Sequence, residues 1–137
     1  MRAVLDTNVI IASFLSSSSE GTGAQLLDRW RSGQFQFLFS RDTMLEYAEV
    51  LLRKGVPQPL IQSFLTELYS QGEVVTIVFF HLPTYPTDTD DIAFLLCALN
   101  GQAQYLISYD NHLLDLAPDY ELLITEPFTF LKALISS

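Results

Sequence analysis

The sequence predicts an α/β protein, a three-layer α/β/α sandwich with a central parallel sheet. Short apolar runs alternate along the chain with longer segments whose apolar residues recur at helical spacing. Strands that are apolar throughout are typical of a parallel sheet that helices cover on both faces. The length of 137 residues, 49 % of them hydrophobic, suits a single domain over residues 1–137 with a substantial core.

Each element has its own signal in the sequence. The predicted strands are the apolar runs at residues 3–5, 35–39, 74–80, 105–107 and 122–124. The predicted helices cover residues 9–15, 22–32, 40–54, about 60–71, 91–100 and 111–116, and a last helix begins near residue 125. Thr22 and Ser40 are typical helix caps, and Gly33, Gly72 and Gly101 are typical stops. The serine-rich residues 16–21 predict a loop, and Pro83 and Pro86 predict an irregular connection.

The charge of the chain limits how it can bind nucleic acid. Sixteen acidic residues against seven basic ones give a formal net charge of -9. This is the wrong sign for a broad basic nucleic-acid surface, so it predicts weak non-specific binding of RNA or DNA. It does not exclude a nuclease, because a bound metal ion supplies local positive charge. The same charge suits a basic partner protein.

Other features exclude further classes of protein. No apolar run reaches the ~18 residues of a membrane span, and an acid at position six does not fit a secretory signal, so we expect a cytoplasmic protein. The one cysteine, Cys97, excludes an internal disulfide and a cysteine-rich zinc site. We expect Cys97 to be buried as a small hydrophobic residue.

Carboxylates follow two of the predicted strands. Asp6 comes directly after strand 3–5, and Asp110 follows strand 105–107 after only two residues. Ligands of open parallel sheets bind beyond the carboxyl ends of the strands, so both acids are expected at the functional edge. Asp91, in the first turn of the helix that leads to strand 105–107, is expected to face the same edge.

Several carboxylates at one edge indicate a divalent cation, because they would otherwise repel each other. Mg²⁺ and Mn²⁺ prefer oxygen ligands and keep water in their other positions. Such ions activate water and stabilise a phosphoryl transition state, so the pattern indicates phosphate-ester chemistry. A second interpretation stays open. The helix dipole stabilises acids in a first turn by about 0.3–1 kcal/mol, which suffices for Asp88, Asp90 and Asp91. Asp6 and Asp110 would also suit a turn or helix cap.

Glu46 is ambiguous from the helix pattern alone. The main apolar stripe of its helix contains Met44, Leu45, Ala48, Leu51 and Leu52. At about 100° per residue, Glu46 falls on the opposite side, which predicts a solvated surface acid. A helix covered on two sides would still place it in a cleft.

Four segments, spread over nearly the whole chain, resemble in order the motifs of the PIN-domain nucleases. They are Val4-Leu5-Asp6-Thr7-Asn8-Val9, the segment from Ser40 through Glu46 to Leu51, Asp88-Thr89-Asp90-Asp91-Ile92-Ala93-Phe94-Leu95, and residues Ala103 to Leu114 around Asp110. Together they are similar to the bacterial toxin branch of that family, the VapC-like toxins of toxin–antitoxin systems. The chain departs from the pattern at Tyr109, where a small residue is common.

The resemblance implies a Mg²⁺- or Mn²⁺-dependent endoribonuclease that hydrolyses phosphodiester bonds in single-stranded RNA. By position, Asp6, Glu46, Asp91 and Asp110 would be the catalytic, metal-binding acids. Asn8 and Ser108 would lie beside them as supporting polar groups, and Asp88 would make an outer contact. The resemblance also implies a homodimer and an antitoxin protein as partner.

Two other functions have some support. Asp6-Thr7-Asn8 superficially resembles the opening of aspartyl-phosphate phosphatases. Those enzymes usually have a second acid at the position of Asn8 and a lysine near a late strand, whereas Lys54 and Lys132 lie beside neither Asp91 nor Asp110. The other alternative is a catalytically weak or degenerate PIN module that acts by binding a partner. Filled acidic positions argue against degeneracy, while the acidic charge keeps partner binding open.

Two further groups of residues have open roles. Trp30 and the phenylalanines 35, 37 and 39 are expected in the core or a subunit interface rather than stacked on bases. The main candidates for phosphate contacts are Arg2, Arg29, Arg31, Arg41, Arg53 and Lys54. The sequence leaves open which of these basic residues face a cleft.

Overall fold

The computed structural model describes residues 1–15 and 21–136. Its strands are β1 (Arg2–Leu5), β2 (Gln36–Phe39), β3 (Glu73–Val74), β4 (Tyr105–Ile107) and β5 (Leu123–Thr125). Its helices are α1 (Thr7–Leu15), α2 (Thr22–Arg31), α3 (Arg41–Arg53), α4 (Gln58–Gln71), α5 (Asp91–Asn100), α6 (Asn111–Leu114) and α7 (Pro127–Ser136), with a 3₁₀ turn at Ala117–Asp119. The strands form one parallel sheet that helices flank, which confirms the predicted α/β/α class. The loop predicted at residues 16–21 lies, except for Gly21, outside the described residues.

The order of the strands creates a crevice at one edge of the sheet. The order is β3-β2-β1-β4-β5, so the chain leaves β1 toward one side of the sheet and leaves β4 toward the other. β1 and β4 are neighbours, with Val4 paired to Leu106 and Leu5 paired to Ile107. In doubly wound sheets, ligands bind where the strand order reverses in this way. The ends of β1 and β4 therefore define the most favourable place for a site.

Aromatic side chains fill the core beside the sheet. Trp30 and Phe37 pack edge to face with ring centroids 5.0 Å apart, and Tyr47 packs against Phe64 and Phe94 at 6.0 and 5.7 Å. Such pairs add to the stabilisation from apolar burial. Phe35 and Phe39 are buried as well, so the expectation that these aromatic residues are structural is confirmed. Cys97 is also buried, as predicted.

The strand predicted at residues 74–80 was wrong for most of its length. β3 contains only Glu73 and Val74, and after Val75 donates to the carbonyl of Phe39 the ladder stops. The reason lies in the neighbouring strand, because β2 ends at Phe39 where α3 begins. Asn100 instead pairs with the backbone of residues 78 and 79 through its side-chain amide.

Other element boundaries differ only slightly from the prediction. Helix α1 begins at Thr7, directly after β1, and α6 ends at Leu114. Among residues 1–15 and 21–136, no helix combines the length and the apolar character that crossing a membrane would require.

Candidate metal centre

Six carboxylates line one cleft at the carboxyl edge of the sheet. The cleft has a volume of about 250 Å³. Its acidic lining residues are Asp6, Glu46, Asp88, Asp90, Asp91 and Asp110. Asn8 lines it as well, while Ser108 is fully buried and bonded to Asp6. The fold thus brings together every residue that the sequence suggested for this site.

Asp6 is positioned by the turn from β1 into α1. Its backbone N–H extends the ladder to β4 by donating to the carbonyl of Ile107 at 2.8 Å. The side chain is only 5 % exposed. Oδ1 accepts the backbone N–H of Thr7 at 2.8 Å, and Oδ2 accepts the hydroxyl of Ser108 at 2.6 Å. The carboxylate therefore has a fixed orientation before any ligand binds.

Ser108 joins the ends of the two central strands. Its hydroxyl donates to Asp6 and accepts from the side-chain amide of Asn8 at 3.3 Å and from the backbone N–H of Asp110 at 2.9 Å. One proton and two lone pairs are all that a hydroxyl offers, so its hydrogen-bonding capacity is fully used. Asn8 Oδ1 in turn accepts the backbone N–H of Tyr109 at 3.2 Å. These bonds hold the β1 and β4 ends in one arrangement.

Asp110 has two roles. It is the N-cap of α6, and its Oδ1 accepts the backbone N–H of His112 at 2.9 Å. The capping role considered from the sequence is therefore real, and it coexists with a place in the cleft. Asp110 lines the same cleft as Asp6, and its negative charge contributes to the raised pKa of Asp6.

Asp91 lies in the first turn of α5 and is only 7 % exposed. Its backbone N–H donates to the carbonyl of Asp88 at 3.1 Å, and Asp88 Oδ1 accepts the N–H of Asp90 at 2.9 Å. The buried Oδ2 of Asp91 has no hydrogen-bond partner. A buried carboxylate oxygen without a donor is costly unless a proton or cation compensates it.

Glu46 lines the cleft, so of the two orientations that the sequence left open, the one favoured by the apolar pattern of the helix was wrong. The buried residues of α3 are Thr43, Tyr47, Val50 and Leu51. Two members of the expected apolar stripe, Leu45 and Leu52, are instead 49 % and 58 % exposed. This rotates the buried face of α3 toward Glu46.

The rotation has a physical cause in two polar residues. The Tyr47 hydroxyl donates to the carbonyl of Leu5, and Thr43 forms a reciprocal capping box with Ser40. Both are therefore buried with satisfied polar groups. A pattern that counts only apolar residues does not detect such positions.

The carboxylates shift one another's pKa values upward. Burial is the largest cause for Asp91, and the charges of Asp6, Asp88, Asp110 and Asp90 add to it, so its pKa rises from 3.8 to about 7. Burial also raises the pKa of Asp6, although the bonds from Ser108 and Thr7 oppose the rise. The pKa of Glu46 rises for similar reasons, while the charge of Arg53 lowers it. The cleft is thus a site where added positive charge would be strongly favoured.

The chemistry of these donors fits a hard divalent cation. The carboxylates offer only oxygen ligands, and one buried oxygen of Asp91 has no donor. Within the part of the chain that the structure describes, no three His, Cys, Asp or Glu side chains are already arranged to hold an ion. An ion here would keep much of its water, as Mg²⁺ commonly does in proteins.

Three polar lining residues of the cleft were not assigned to it from the sequence. Asp90 and Thr7 each directly neighbour a predicted acid, and the buried hydroxyl of Thr7 has no hydrogen-bond partner. Arg53 was one of six equivalent basic candidates. Its spacing of seven residues from Glu46, two helical turns, is the signal that would have indicated a shared face.

Comparisons with known proteins agree with this architecture. A family model described as "PIN domain" matches residues 2–112. Among solved structures, PAE2754 from Pyrobaculum aerophilum is similar with a TM-score of 0.65 and 13 % identity, over 100 % of this chain and 97 % of that one. VapBC2 from Rickettsia felis, solved with a DNA fragment from its promoter, and FitAcB from Neisseria gonorrhoeae have TM-scores of 0.60 and 0.54. Each is 13 % identical, over 92 % of this chain and 98 % of the other. A search of curated proteins gave no match.

Proposed function

The chain belongs to the PIN-domain family, and on this premise we propose that it is a metal-dependent endoribonuclease. Members of this family are nucleases that generally use divalent metal ions. Its substrate in this proposal is single-stranded RNA, and its reaction is hydrolysis of a phosphodiester bond. The observation that carries the proposal is the convergence of Asp6, Glu46, Asp91 and Asp110 on one cleft, with a buried oxygen of Asp91 unpaired.

We propose that these four carboxylates hold Mg²⁺ or Mn²⁺ and that Asp88 makes an outer contact. When bound, such an ion would supply Lewis acidity and would favour deprotonation of water near neutral pH. Asp6 is oriented by Ser108 and Thr7, and Asp110 is oriented by the first turn of α6. Asn8 and Ser108 act as positioning residues, because they fix the two carboxylates relative to each other.

A cleavage assay tests the activity. A panel of single-stranded RNAs is incubated with the wild type in Mn²⁺, in Mg²⁺ and in EDTA, and with the Asp6→Asn variant in Mn²⁺. We expect internal cleavage by the wild type in either metal and none in the other two conditions. Cleavage that survives both EDTA and Asp6→Asn would sink the metal-nuclease proposal. Absence of cleavage under every condition would favour a module that acts by partner binding.

We further propose that the protein is the toxin of a toxin–antitoxin pair. The resemblance to VapC-like toxins supports this role, and the fold is shared with the VapBC2 and FitAcB structures. The formal charge of -9 favours a partner with a basic binding segment. Growth of a bacterial host should arrest when the wild type is induced and continue when Asp6→Asn is induced at the same level. Equal growth in both cultures would contradict the toxin role.

A homodimer is the third part of the proposal. Besides the resemblance, it has the support of apolar side chains that stand outward after β3. Val78 is 75 % exposed and Phe80 is 69 % exposed, and Asn100 holds the backbone beside them. Single exposed apolar residues are ordinary, but a contiguous group is typical of an interface. Sedimentation equilibrium should give twice the monomer mass, and a monomer at all protein concentrations would contradict this part.

A further inference from the structure

The cleft contains one basic side chain among its acids. Of the described residues that line it, Arg53 alone is a cation, opposite six carboxylates. Arg53 stands in the last turn of α3 and is exposed to solvent. An anionic substrate that enters this cleft meets repulsion from the acids that a metal does not neutralise. A fixed cation on the wall is therefore the group that would most directly attract a phosphate.

The other basic candidates are engaged elsewhere or lie outside the cleft. Arg2 forms an ion pair with Glu73, with Nη2 2.5 Å from Oε2, and also donates to the carbonyl of Gly101. Arg31 pairs with Glu67 at 2.7 Å. The remaining three candidates, none of which lines the cleft, are Arg29, Arg41 and Lys54.

Arg53 itself has no such engagement. No acidic side chain of the described residues lies within ion-pair distance of its guanidinium. Its charge still acts on Glu46, whose pKa it lowers. The guanidinium therefore acts electrostatically on the cleft, and its N–H groups remain available to bind a ligand. Planar donors of this kind match the oxygens of a phosphate.

The position of Arg53 along α3 separates it from the acids. It follows Glu46 by seven residues, so the two Cα atoms are about 10 Å apart along the helix axis at ~1.5 Å per residue. Asp6 and Asp110 follow the ends of β1 and β4, and Asp91 lies in the first turn of α5, so none of these three acids stands on α3. When the scissile phosphate is held at these acids, Arg53 lies beside the part of the RNA backbone that continues along α3.

We propose that Arg53 binds a flanking phosphate of the RNA, one step along the strand from the scissile phosphate. This inference rests on the proposed ribonuclease function and deepens it, because it assigns a second phosphate subsite on the α3 side of the cleft. Arg53 is here a substrate-binding residue that determines the minimum length of the substrate. A dinucleotide with one phosphodiester has no phosphate to fill this subsite.

The test compares two substrates and three proteins. Wild type, Arg53→Ala and Lys54→Ala are assayed in Mn²⁺ on a single-stranded RNA oligonucleotide and on a dinucleoside monophosphate. Lys54→Ala is the matched control, because it removes one charge at the neighbouring position outside the cleft. Circular dichroism and the melting temperature establish that the variants are folded.

We expect Arg53→Ala to lower kcat/KM on the oligonucleotide about tenfold, mainly through KM, as loss of one charge-assisted hydrogen bond would. On the dinucleotide, Arg53→Ala should equal the wild type, and Lys54→Ala should equal it on both substrates. The dependence of log(kcat/KM) on log salt concentration should also become shallower by about 0.7 for the oligonucleotide, the value for one contact to a single strand. Arg53→Lys should keep most of that slope.

Three outcomes overturn this assignment while leaving the proposed function intact. The first is an equal loss of kcat/KM on both substrates for Arg53→Ala, which would place Arg53 at the scissile phosphate. The second is no loss of kcat/KM on either substrate. The third is an effect of Lys54→Ala as large as that of Arg53→Ala. If the wild type cleaves neither substrate, the proposed function itself fails. The two failures are therefore distinguishable in one set of assays.

Discussion

The two walls of the cleft differ in how their side chains are held. On one wall, Asp6 and Asp110 each accept a backbone N–H, and both residues also bond to the hydroxyl of Ser108. On the other wall, Glu46 and Arg53 stand on α3 and have no such bonds from the described residues. We call these the strand wall and the helix wall. Asp6 is buried, while Glu46 is only partly buried and Arg53 is exposed. The strand wall is thus preorganised, and the helix wall can adjust to a ligand. Substitutions on the strand wall should cost more activity.

The largest expected effect follows from Asp6→Asn. Loss of the carboxylate charge at the centre of the strand wall should lower cleavage by about a thousandfold, if a metal contributes several kcal/mol to the transition state. The protein should remain folded, because burial already favours the neutral form of this side chain by raising its pKa. Asp28→Asn, an exposed acid on α2, is the control and should cleave like the wild type. Single-turnover cleavage rates measure the difference, and similar rates for the two variants would contradict the role of Asp6.

Ser108→Ala tests whether the strand wall depends on its hydrogen bonds. The change leaves the Asp6 carboxylate, the Asn8 amide and the Asp110 N–H without their common partner. Activity should fall about 10- to 100-fold, as for other residues that orient metal ligands. Unfolding by urea should show a loss of about 1–3 kcal/mol. Ser108→Thr keeps the hydroxyl and should retain most activity. If Ala and Thr behave alike, the hydroxyl does not orient the site.

Glu46→Gln addresses the helix wall. Glu46 has no fixed hydrogen-bond partner, so loss of its charge should lower the cleavage rate only about tenfold. That is the low end of the roughly 10- to 100-fold range typical of groups around a metal. Raising the Mn²⁺ concentration should restore part of the rate. Glu49→Gln is the matched control, since Glu49 lies three residues further along α3, is exposed and does not line the cleft. A loss as large as that of Asp6→Asn would remove the distinction between the walls.

The pH dependence of stability should be the smallest of these effects. The pKa of Asp91 is about 7 in the folded protein against an ordinary 3.8, so the folded state holds a proton that the unfolded state releases. The associated stability is complete below about pH 4 and is lost as pH rises through about 7. Without metal, the melting temperature should therefore fall between pH 5 and pH 8, by about 3–8 °C for a change of 1–2 kcal/mol.

A variant and a metal control sharpen this experiment. Asp91→Asn cannot titrate and should show a flatter profile. Mn²⁺ should stabilise the wild type more at pH 8 than at pH 5, because protons compete with the metal for Asp91. Scanning calorimetry across this range provides the data. A metal-free melting temperature that rises from pH 5 to pH 8 would refute the electrostatic description of the cleft.

The strand wall could be predicted from the sequence far better than the helix wall. Asp6 and Asp110 each follow an apolar strand, and the rule that ligands bind at strand ends needs no knowledge of side-chain contacts. The orientation of Glu46 could not be predicted in the same way, because Thr43 and Tyr47 are buried with satisfied hydroxyl groups and turn α3. Arg53 shares a helix face with Glu46, seven residues earlier, so its place in the cleft could be predicted only once the orientation of Glu46 was known.

The end of β3 shows the same limit in the fold. Residues 74–80 have the composition of a strand, but β2 offers a partner only as far as Phe39, where Ser40 caps the next helix. Strand length is thus set by the neighbouring strand, a non-local property. Local patterns predicted the class and the alternation of elements correctly, and they were wrong where a distant residue supplies or withholds a hydrogen bond.

Titration calorimetry with Mn²⁺ at pH 8 tests the central claim, that this cleft is a divalent-metal site, most directly. The wild type should bind Mn²⁺ with a dissociation constant in or below the millimolar range, and Asp91→Asn and Asp6→Asn should each weaken binding at least ~10-fold. Asp28→Asn should bind like the wild type. No binding by the wild type at millimolar Mn²⁺, or equal binding by all four proteins, would contradict the claim.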